Sequence, residues 1–221
     1  MKVLLASSNA KKLAELRELA ADLPLKIVSP TDLGMAFPEV VEDAPTFEGN
    51  ACKKALAFAR ASGLPAIADD SGICVEALGG APGVHSARYS GEEPVPDRDA
   101  RNNEKLLREL SGVPAARRGA WYVCVVCLAW PDGRTEVASG RWDGRIAFSP
   151  RGSGGFGYDP LFLLPRLGKT AAELGPEEKR AQSHRGAAMR ALRPVLEALD
   201  RANPLAMDRG MRYTPRDFHG A

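Results

Sequence analysis

The feature that most constrains this chain is the stretch Ala66–Gly91, AIADDSGICVEALGGAPGVHSARYSG. A short apolar run, Ala66-Ile67-Ala68, gives way to two adjacent carboxylates, Asp69 and Asp70. Ser71-Gly72 and a second apolar run, Ile73–Val75, follow. Read as a strand that ends in Asp-Asp-Ser-Gly, it puts acids at a strand tip beside a flexible turn, where α/β proteins hold ligands. Two carboxylates there repel each other unless a proton or a cation intervenes. A hard cation such as Mg²⁺, arriving with a phosphate substrate, suits such a pair. The alternative is an Asx-type turn that only reverses the chain.

The bulk properties narrow the classes. At 221 residues the chain is one large domain or two small lobes. We read residues 1–202 as one α/β domain and residues 203–221, which lack periodicity, as a poorly ordered C-terminal extension. A net charge of +2 gives no global field to draw nucleic acid or membrane. No apolar run approaches the roughly 20 residues that span a bilayer. Met1–Ala6 is too short an apolar segment for a signal peptide and reads as the first strand of a cytoplasmic protein. Cys124-Val-Val-Cys127 has the spacing of a metal or redox pair but lies in AWYVCVVCLAW, a buried strand. Residues three apart on a strand face opposite sides, so these cysteines read as small buried hydrophobes.

In chain order, a strand at Lys2–Ala6 leads into the polar turn Ser7-Ser8-Asn9-Ala10-Lys11-Lys12. A helix follows with Leu13, Leu16, Leu19, Ala20 and Leu23 at helical spacing, ended by Pro24. A helix N-terminus beside two lysines is a ready phosphate site; an ordinary N-cap with solvated lysines is the alternative. A short strand, Leu25–Val28, precedes the acidic loop Phe37–Pro45. Thr46 then caps a helix to about Ser62 with Phe47, Ala51, Ala55 and Phe58 as its buried stripe and Lys54 at the border. Gly79–Gly83 is a tight connection, and Asp97–Leu110 a helix with Ala100, Asn103, Leu106, Leu107 and Leu110 on one side. Trp121–Trp130 is the longest apolar strand. Pro131–Arg134 turns, Thr135–Gly140 returns, and Arg145–Phe148 extends the antiparallel section. Arg151–Gly157 matches G-x-G-x-x-G in the wrong context for a dinucleotide fingerprint, since a strand-like run and not a helix follows. It reads as a loop carrying Phe156 to stack on a base and Asp159 to accept hydrogen bonds from its edge, or as a plain glycine-rich hairpin. Pro176 to about Ala198 is one helix with Gly186 as its weak point, bearing Lys179 and Ser183-His184-Arg185.

The order and spacing of these motifs are more specific than any one of them. Ser7-x-Asn9-x-x-Lys12, Thr46-Phe47-Glu48-x-Asn50-Ala51 leading to Lys54, IADDSG through GGAPGVHSARYSG, FGYDPLF and Ser183-His184-Arg185 together resemble the inosine triphosphate pyrophosphatase family. These are the Ham1-like noncanonical purine nucleoside triphosphate pyrophosphatases, and the resemblance runs from Val3 to about Leu199. It implies hydrolysis of dITP, ITP and XTP to monophosphate and pyrophosphate with Mg²⁺. It also implies a homodimer, and an α/β fold with a long mixed sheet, flanking helices and the site in the cleft between two lobes. Ser7, Ser8, Asn9, Ala10, Lys11 and Lys12 resemble the triphosphate cradle, with Ser7-Ser8 where Thr-Gly is common. Asp70 matches the proton acceptor and metal ligand, Ser71 an adjoining substrate contact, and Glu39 a second metal ligand, with Glu42 close by. Lys54 and Lys179 match lysines that contact phosphate or substrate. Phe156, Gly157, Tyr158 and Asp159 resemble the base-binding loop, and His184-Arg185 the pair that reads the purine.

Three rivals are weighed against this. A pyrimidine-directed, Maf-like pyrophosphatase shares the loop after strand one, but FGYD and SHR favour the purine branch. A haloacid-dehalogenase-type phosphatase needs a nucleophilic Asp where Ser7 stands. A nucleotide-binding sensor needs the cradle but not the paired carboxylates.

Overall fold

The computed structural model describes residues 1–201 apart from residue 8, residue 24 and residues 92–95. The sheet is built from β1 (Lys2–Leu5), β2 (Lys26–Val28), β3 (Ala66–Val75), β4 (Gly119–Ala129), β5 (Thr135–Ile146), β6 (Phe162–Leu164) and β7 (Lys169–Thr170), in the order β2-β1-β3-β4-β5-β6-β7. β2, β1 and β3 run parallel, and β3 through β7 are antiparallel. The helices are α1 (Ala10–Leu19), α2 (Pro30–Leu33), α3 (Phe47–Ser62), α4 (Arg98–Glu109), α5 (Pro176–Gln182) and α6 (His184–Arg201). None is long and apolar enough to cross a membrane among the described residues.

Strand periodicity divides the core. Val3, Leu5, Ile67, Cys124 and Val126 pack on one face against Leu16 and Ala20 of α1 and Ala188, Met189 and Leu192 of α6. Leu4, Ala66, Ala68 and Cys127 pack on the other against Ala51, Ala55 and Ala59, whose small side chains let α3 lie close. Cys124 and Cys127 thus face opposite sides, and all four cysteines are free. The α3 stripe includes Ala59 and Asn50, with Phe47 and Phe58 only half-buried at its edge. A third core joins Leu106 and Leu110 of α4 to Ile73, Tyr122, Trp142, Tyr158 and Phe162 at the far end of the sheet.

Three expected boundaries move. β3 does not end at Asp-Asp-Ser-Gly. It continues to Val75, with Asp69, Asp70, Ser71 and Gly72 opposite Val126, Val125, Cys124 and Val123. Gly72 serves close approach here and not a turn, because a Cβ would collide with Gly83 O and Ser86 Oγ. The expected helix over Pro176–Ala198 is two helices. It breaks at Ser183, in extended conformation, whose hydroxyl accepts from Gly186 N at 3.1 Å and so starts α6 afresh. The return strand is continuous from Thr135 to Ile146 because it pairs with β4 along its whole length. Ser8, Pro24 as the expected helix stop and the expected extension at 203–221 lie outside the described residues.

The sheet creates the cleft. β1 pairs with β3 only as far as Leu5–Ile67. Beyond that point β3 keeps β4 on one side and, among the described residues, no strand on the other until the isolated bridge of Cys74 to Pro82. The carboxylates therefore sit mid-strand at an open edge.

Candidate active site

A cavity of about 330 Å³ opens at that edge, within the usual size for a small-molecule site. Its acidic floor is Asp70, Ser71 and Gly72 of β3. Asn9 and Lys12 come from the start of α1, Lys54 from α3, and Glu42 from the loop before α3. The rest of the wall is Phe156, Gly157, Tyr158 and Asp159, with Lys179 of α5 and His184 and Arg185 of α6. Most of the expected site residues are thus brought together. Ser7 and Lys11 stand outside the wall: Ser7 Oγ accepts from Asn9 N at 3.2 Å, and Lys11 Nζ lies 5.8 Å from the Phe156 ring centroid. Asn9 Oδ1 accepts from Lys11 N at 3.0 Å and Lys12 N at 3.2 Å, so this helix start is capped and its positive charge in the cavity is the Lys12 ammonium.

Glu39 is not in the wall. It is exposed, whereas Glu42 faces the cavity, its carboxylate 2.6 Å from Lys54 Nζ and its carbonyl accepting from Arg88 Nη2 at 3.1 Å. Those two anchors hold the loop with Glu42, and not Glu39, on the cavity side.

The two neighbouring aspartates have different surroundings. Asp69 is 1% exposed, with Lys12 Nζ at 3.4 Å, Arg185 Nη2 at 3.1 Å and Arg185 Nε at 3.3 Å from its Oδ2. Burial opposes its ionisation, but the Lys12, Arg185 and Lys54 charges overcome it and hold the carboxyl well below the usual range. Asp70 accepts from Asn50 Nδ2 at 3.0 Å and Ser71 N at 2.9 Å. Burial pushes its carboxyl up against the pull of Lys12 and Asn50, and the Glu42 charge adds to the push.

At the far wall, Asp159 Oδ2 accepts from Lys179 Nζ at 2.7 Å and Phe156 N at 2.9 Å, and Oδ1 accepts from Tyr122 OH at 3.3 Å. His184 stacks on Tyr122 with centroids 4.6 Å apart and planes 7° from parallel. Burial, then the Arg185 and Lys179 charges, hold its imidazole well below the usual value, so it is neutral at pH 7. Its buried Nδ1 has no hydrogen-bond partner among the described residues, a cost that a packed structural histidine avoids. Arg185, 2% exposed, donates to Asp69, to Ser71 Oγ at 3.0 Å and to Glu15. Gly140 lets α6 approach: a Cβ there would collide with His184 O and Ala188 N.

Three contributors escape sequence reasoning. Glu15 bonds both Arg185 and Lys179, the latter at 3.3 Å. Asn50 orients Asp70 and Tyr122 carries His184. Only Asn50 left a signal, a polar residue beside Ala51 on the apolar face of α3.

The donor set bears on a metal. Among the described residues no three His, Cys, Asp or Glu side chains group so as to hold an ion. Asp70 and Glu42 share the cavity and repel. Two carboxylates without a full cage suit Mg²⁺, which takes one or two protein carboxylates and completes its shell with water and phosphates. The residues therefore fit a divalent ion that arrives with a polyphosphate.

Similarity to known proteins points to one family. The model of the Ham1 family matches residues 3–195. A dITP/XTP pyrophosphatase of Anaeromyxobacter dehalogenans is 52% identical, covering 91% of this chain and 99% of the relative, and one of Shigella flexneri is 52% identical over 90% and 98%. The solved structure of a HAM1 protein from Coxiella burnetii superposes with a TM-score of 0.80 at 42% identity, covering 90% of this chain and 99% of that one. The chain belongs to the Ham1 family.

Proposed function

We propose that the chain hydrolyses noncanonical purine nucleoside triphosphates, dITP, ITP and XTP, to the monophosphate and pyrophosphate, and so keeps these bases out of DNA and RNA. The observation that carries this reading is Asp70, a carboxyl with raised proton affinity in a cavity that Lys12 and Lys54 share with the aromatic, hydrogen-bonding Phe156–Asp159 loop. The names of the relatives support the substrate class.

Water attacks the α-phosphorus and pyrophosphate leaves. Asp70 accepts the proton of that water; Asn50 and Ser71 N aim its oxygens, and burial keeps the carboxylate basic. Lys12 and Lys54 neutralise phosphate charge. Asp70 and Glu42 would hold Mg²⁺ together with the phosphates, and the ion bound there would supply further neutralisation of phosphate charge. Ser71 contacts substrate beside Asp70. Ser7, Lys11 and Glu39, outside the cavity wall, are peripheral in this scheme.

Selectivity follows from hydrogen-bond sign. Inosine and xanthine carry a 6-oxo acceptor where adenine carries an amino donor. Donors from Lys179, His184 and Arg185 line the base end, and a buried donor facing a donor costs about 1–3 kcal/mol. Guanine shares the 6-oxo group but adds a 2-amino donor. Asp159, already accepting from Lys179, Phe156 and Tyr122, has little left to satisfy it. We further propose a cytoplasmic homodimer.

The test is pyrophosphate release from ITP, XTP, dITP, GTP, ATP and dTTP, with Mg²⁺ and with chelator. Mg²⁺-dependent release from the first three is expected. Release from dTTP would move the assignment to a Maf-like enzyme, and binding without release to a sensor.

A further inference from the structure

Gly157, in the middle of the wall loop, has both of its backbone polar groups taken by one helix. Its N–H donates to Asp99 Oδ2 at 2.8 Å, and its carbonyl accepts from Asn103 Nδ2 at 3.0 Å. Asp99 and Asn103 are four apart on α4 and so share a face. Gly157 adopts the left-handed conformation, φ 62°, that a side chain would resist. The next residue is tied in the same direction, since Tyr158 OH donates to Ser86 O at 2.8 Å. Asn102 binds α4 to that segment, accepting from Ser90 N at 2.7 Å and donating to Ser86 O at 3.3 Å.

Local structure does not account for the pair. Asp99 serves the helix dipole as a first-turn acid, but that role needs no contact with a loop 58 residues away. Asn103 interrupts the stripe that continues in Leu106 and Leu110, and its buried Oδ1 has no partner among the described residues. An aliphatic side chain would pack there without that cost. What Asn103 adds is its bond to Gly157.

We propose that Asp99 and Asn103 are positioning residues that latch the Phe156–Asp159 loop to α4 and thereby set how the purine ring is gripped. The inference rests on the reading of this wall as the base end of the site. Phe156 immediately precedes the latched peptide, and Asp159, two residues on, holds Lys179. A loop freed from α4 loosens both faces of the purine contact while Asp70, Asn50 and Lys12 stay in place.

The variants are Asp99→Ala, Asn103→Ala and Asp99→Asn, compared with wild type by steady-state kinetics on ITP and ATP and by NMR-detected exchange of the Gly157 amide in nucleotide-free protein. We expect Asp99→Ala and Asn103→Ala each to raise KM for ITP about tenfold, the loss of one charge-assisted or buried hydrogen bond. kcat stays within about threefold, the ITP-to-ATP ratio of kcat/KM falls, and Gly157 exchanges faster. Asp99→Asn recovers most of the loss, because an amide oxygen still accepts from Gly157 N. Unchanged exchange at Gly157 in Asp99→Ala overturns the latch. Faster exchange with unchanged KM and unchanged ITP-to-ATP ratio overturns its role in purine recognition. If wild-type protein released pyrophosphate from no nucleotide, the reading of the site would fail separately; Gly157 exchange and ITP affinity by calorimetry would still decide the latch.

Discussion

Asp69 and Asp70 are adjacent on β3 and face opposite layers of helices, and the two layers treat a carboxylate in opposite ways. On the α1/α6 side, Asp69 is enclosed by Lys12 and Arg185, and Arg185 is secured in turn by Glu15. On the α3 side, Asp70 meets an amide and a peptide N–H, with Glu42 nearby. The first group holds its charge too firmly to take up a proton. The second is buried, less fully compensated and still basic. One strand thus carries a firmly ionised carboxylate and one of raised proton affinity with no turn between them, because period-two alternation alone sends them to different environments.

The sharpest way to break this contrast is Asp70→Asn. It should lower kcat by roughly 10²–10⁴-fold, the scale of a lost general base, while the fold persists. The stability change has a definite sign. The folded-state value of Asp70 lies above its ordinary 3.8, so its contribution to stability is present below that value and is lost as pH rises through the raised one. At pH 7 in chelator the Asn variant should therefore match or exceed wild type in urea midpoint. A clear fall in midpoint would mean that Asp70, like Asp69, is structural.

Arg185→Ala tests the other face. It leaves Asp69 buried with half of its compensation gone and should cost about 3–5 kcal/mol in urea unfolding. Adding Asp69→Asn should return part of that loss, so that the double variant is more stable than the sum of the single losses implies. Strict additivity would remove the pair as a unit.

A smaller effect separates the far wall from both. The folded-state value of His184 lies below its ordinary 6.5, so its contribution to stability is present above 6.5 and is lost as pH falls toward the folded value. Stability should decline below pH 6.5 with a slope approaching about 1.4 kcal/mol per unit, and His184→Gln should flatten that stretch. Asp69, depressed well below the usual carboxylate range, adds its own loss only at much lower pH.

Elements that carry their own punctuation were legible in the sequence. α3 has Thr46 before it and Gly63 after it, and β4 is an unbroken apolar run. Asp-Asp-Ser-Gly was misread as a strand end because acids and glycine are the local currency of turns; the ladder to β4 and the approach of Gly83 and Ser86 override that preference. Ser183 was hidden in a run whose every residue tolerates a helix, and the break comes from its hydroxyl capping α6. In the site, Asp70 and Lys54 could be found because motif spacing carries them. Glu15 could not, because its partner Arg185 is 170 residues away and nothing near Glu15 marks it.

The finest test of the contrast lies in the loop before α3, where the resemblance points to Glu39, with Glu42 close by, and the cavity wall holds Glu42. Glu42 raises the proton affinity of Asp70 through its charge, behind the larger effect of burial, while Glu39 is exposed outside the cavity wall. Glu42→Gln removes that charge and frees Lys54, whose own charge lowers the Asp70 carboxyl. The Asp70 titration, followed by carbon NMR in chelator, should therefore move down yet stay above the ordinary carboxylate value, since burial still dominates. Glu39→Gln should leave it in place. The reverse pattern would restore Glu39 as the partner of Asp70. Equal shifts from both would mean that Asp70 senses the net charge of the loop and not a neighbour, and the distinction between a crowded acid and a paired one would then rest on burial and Arg185 alone.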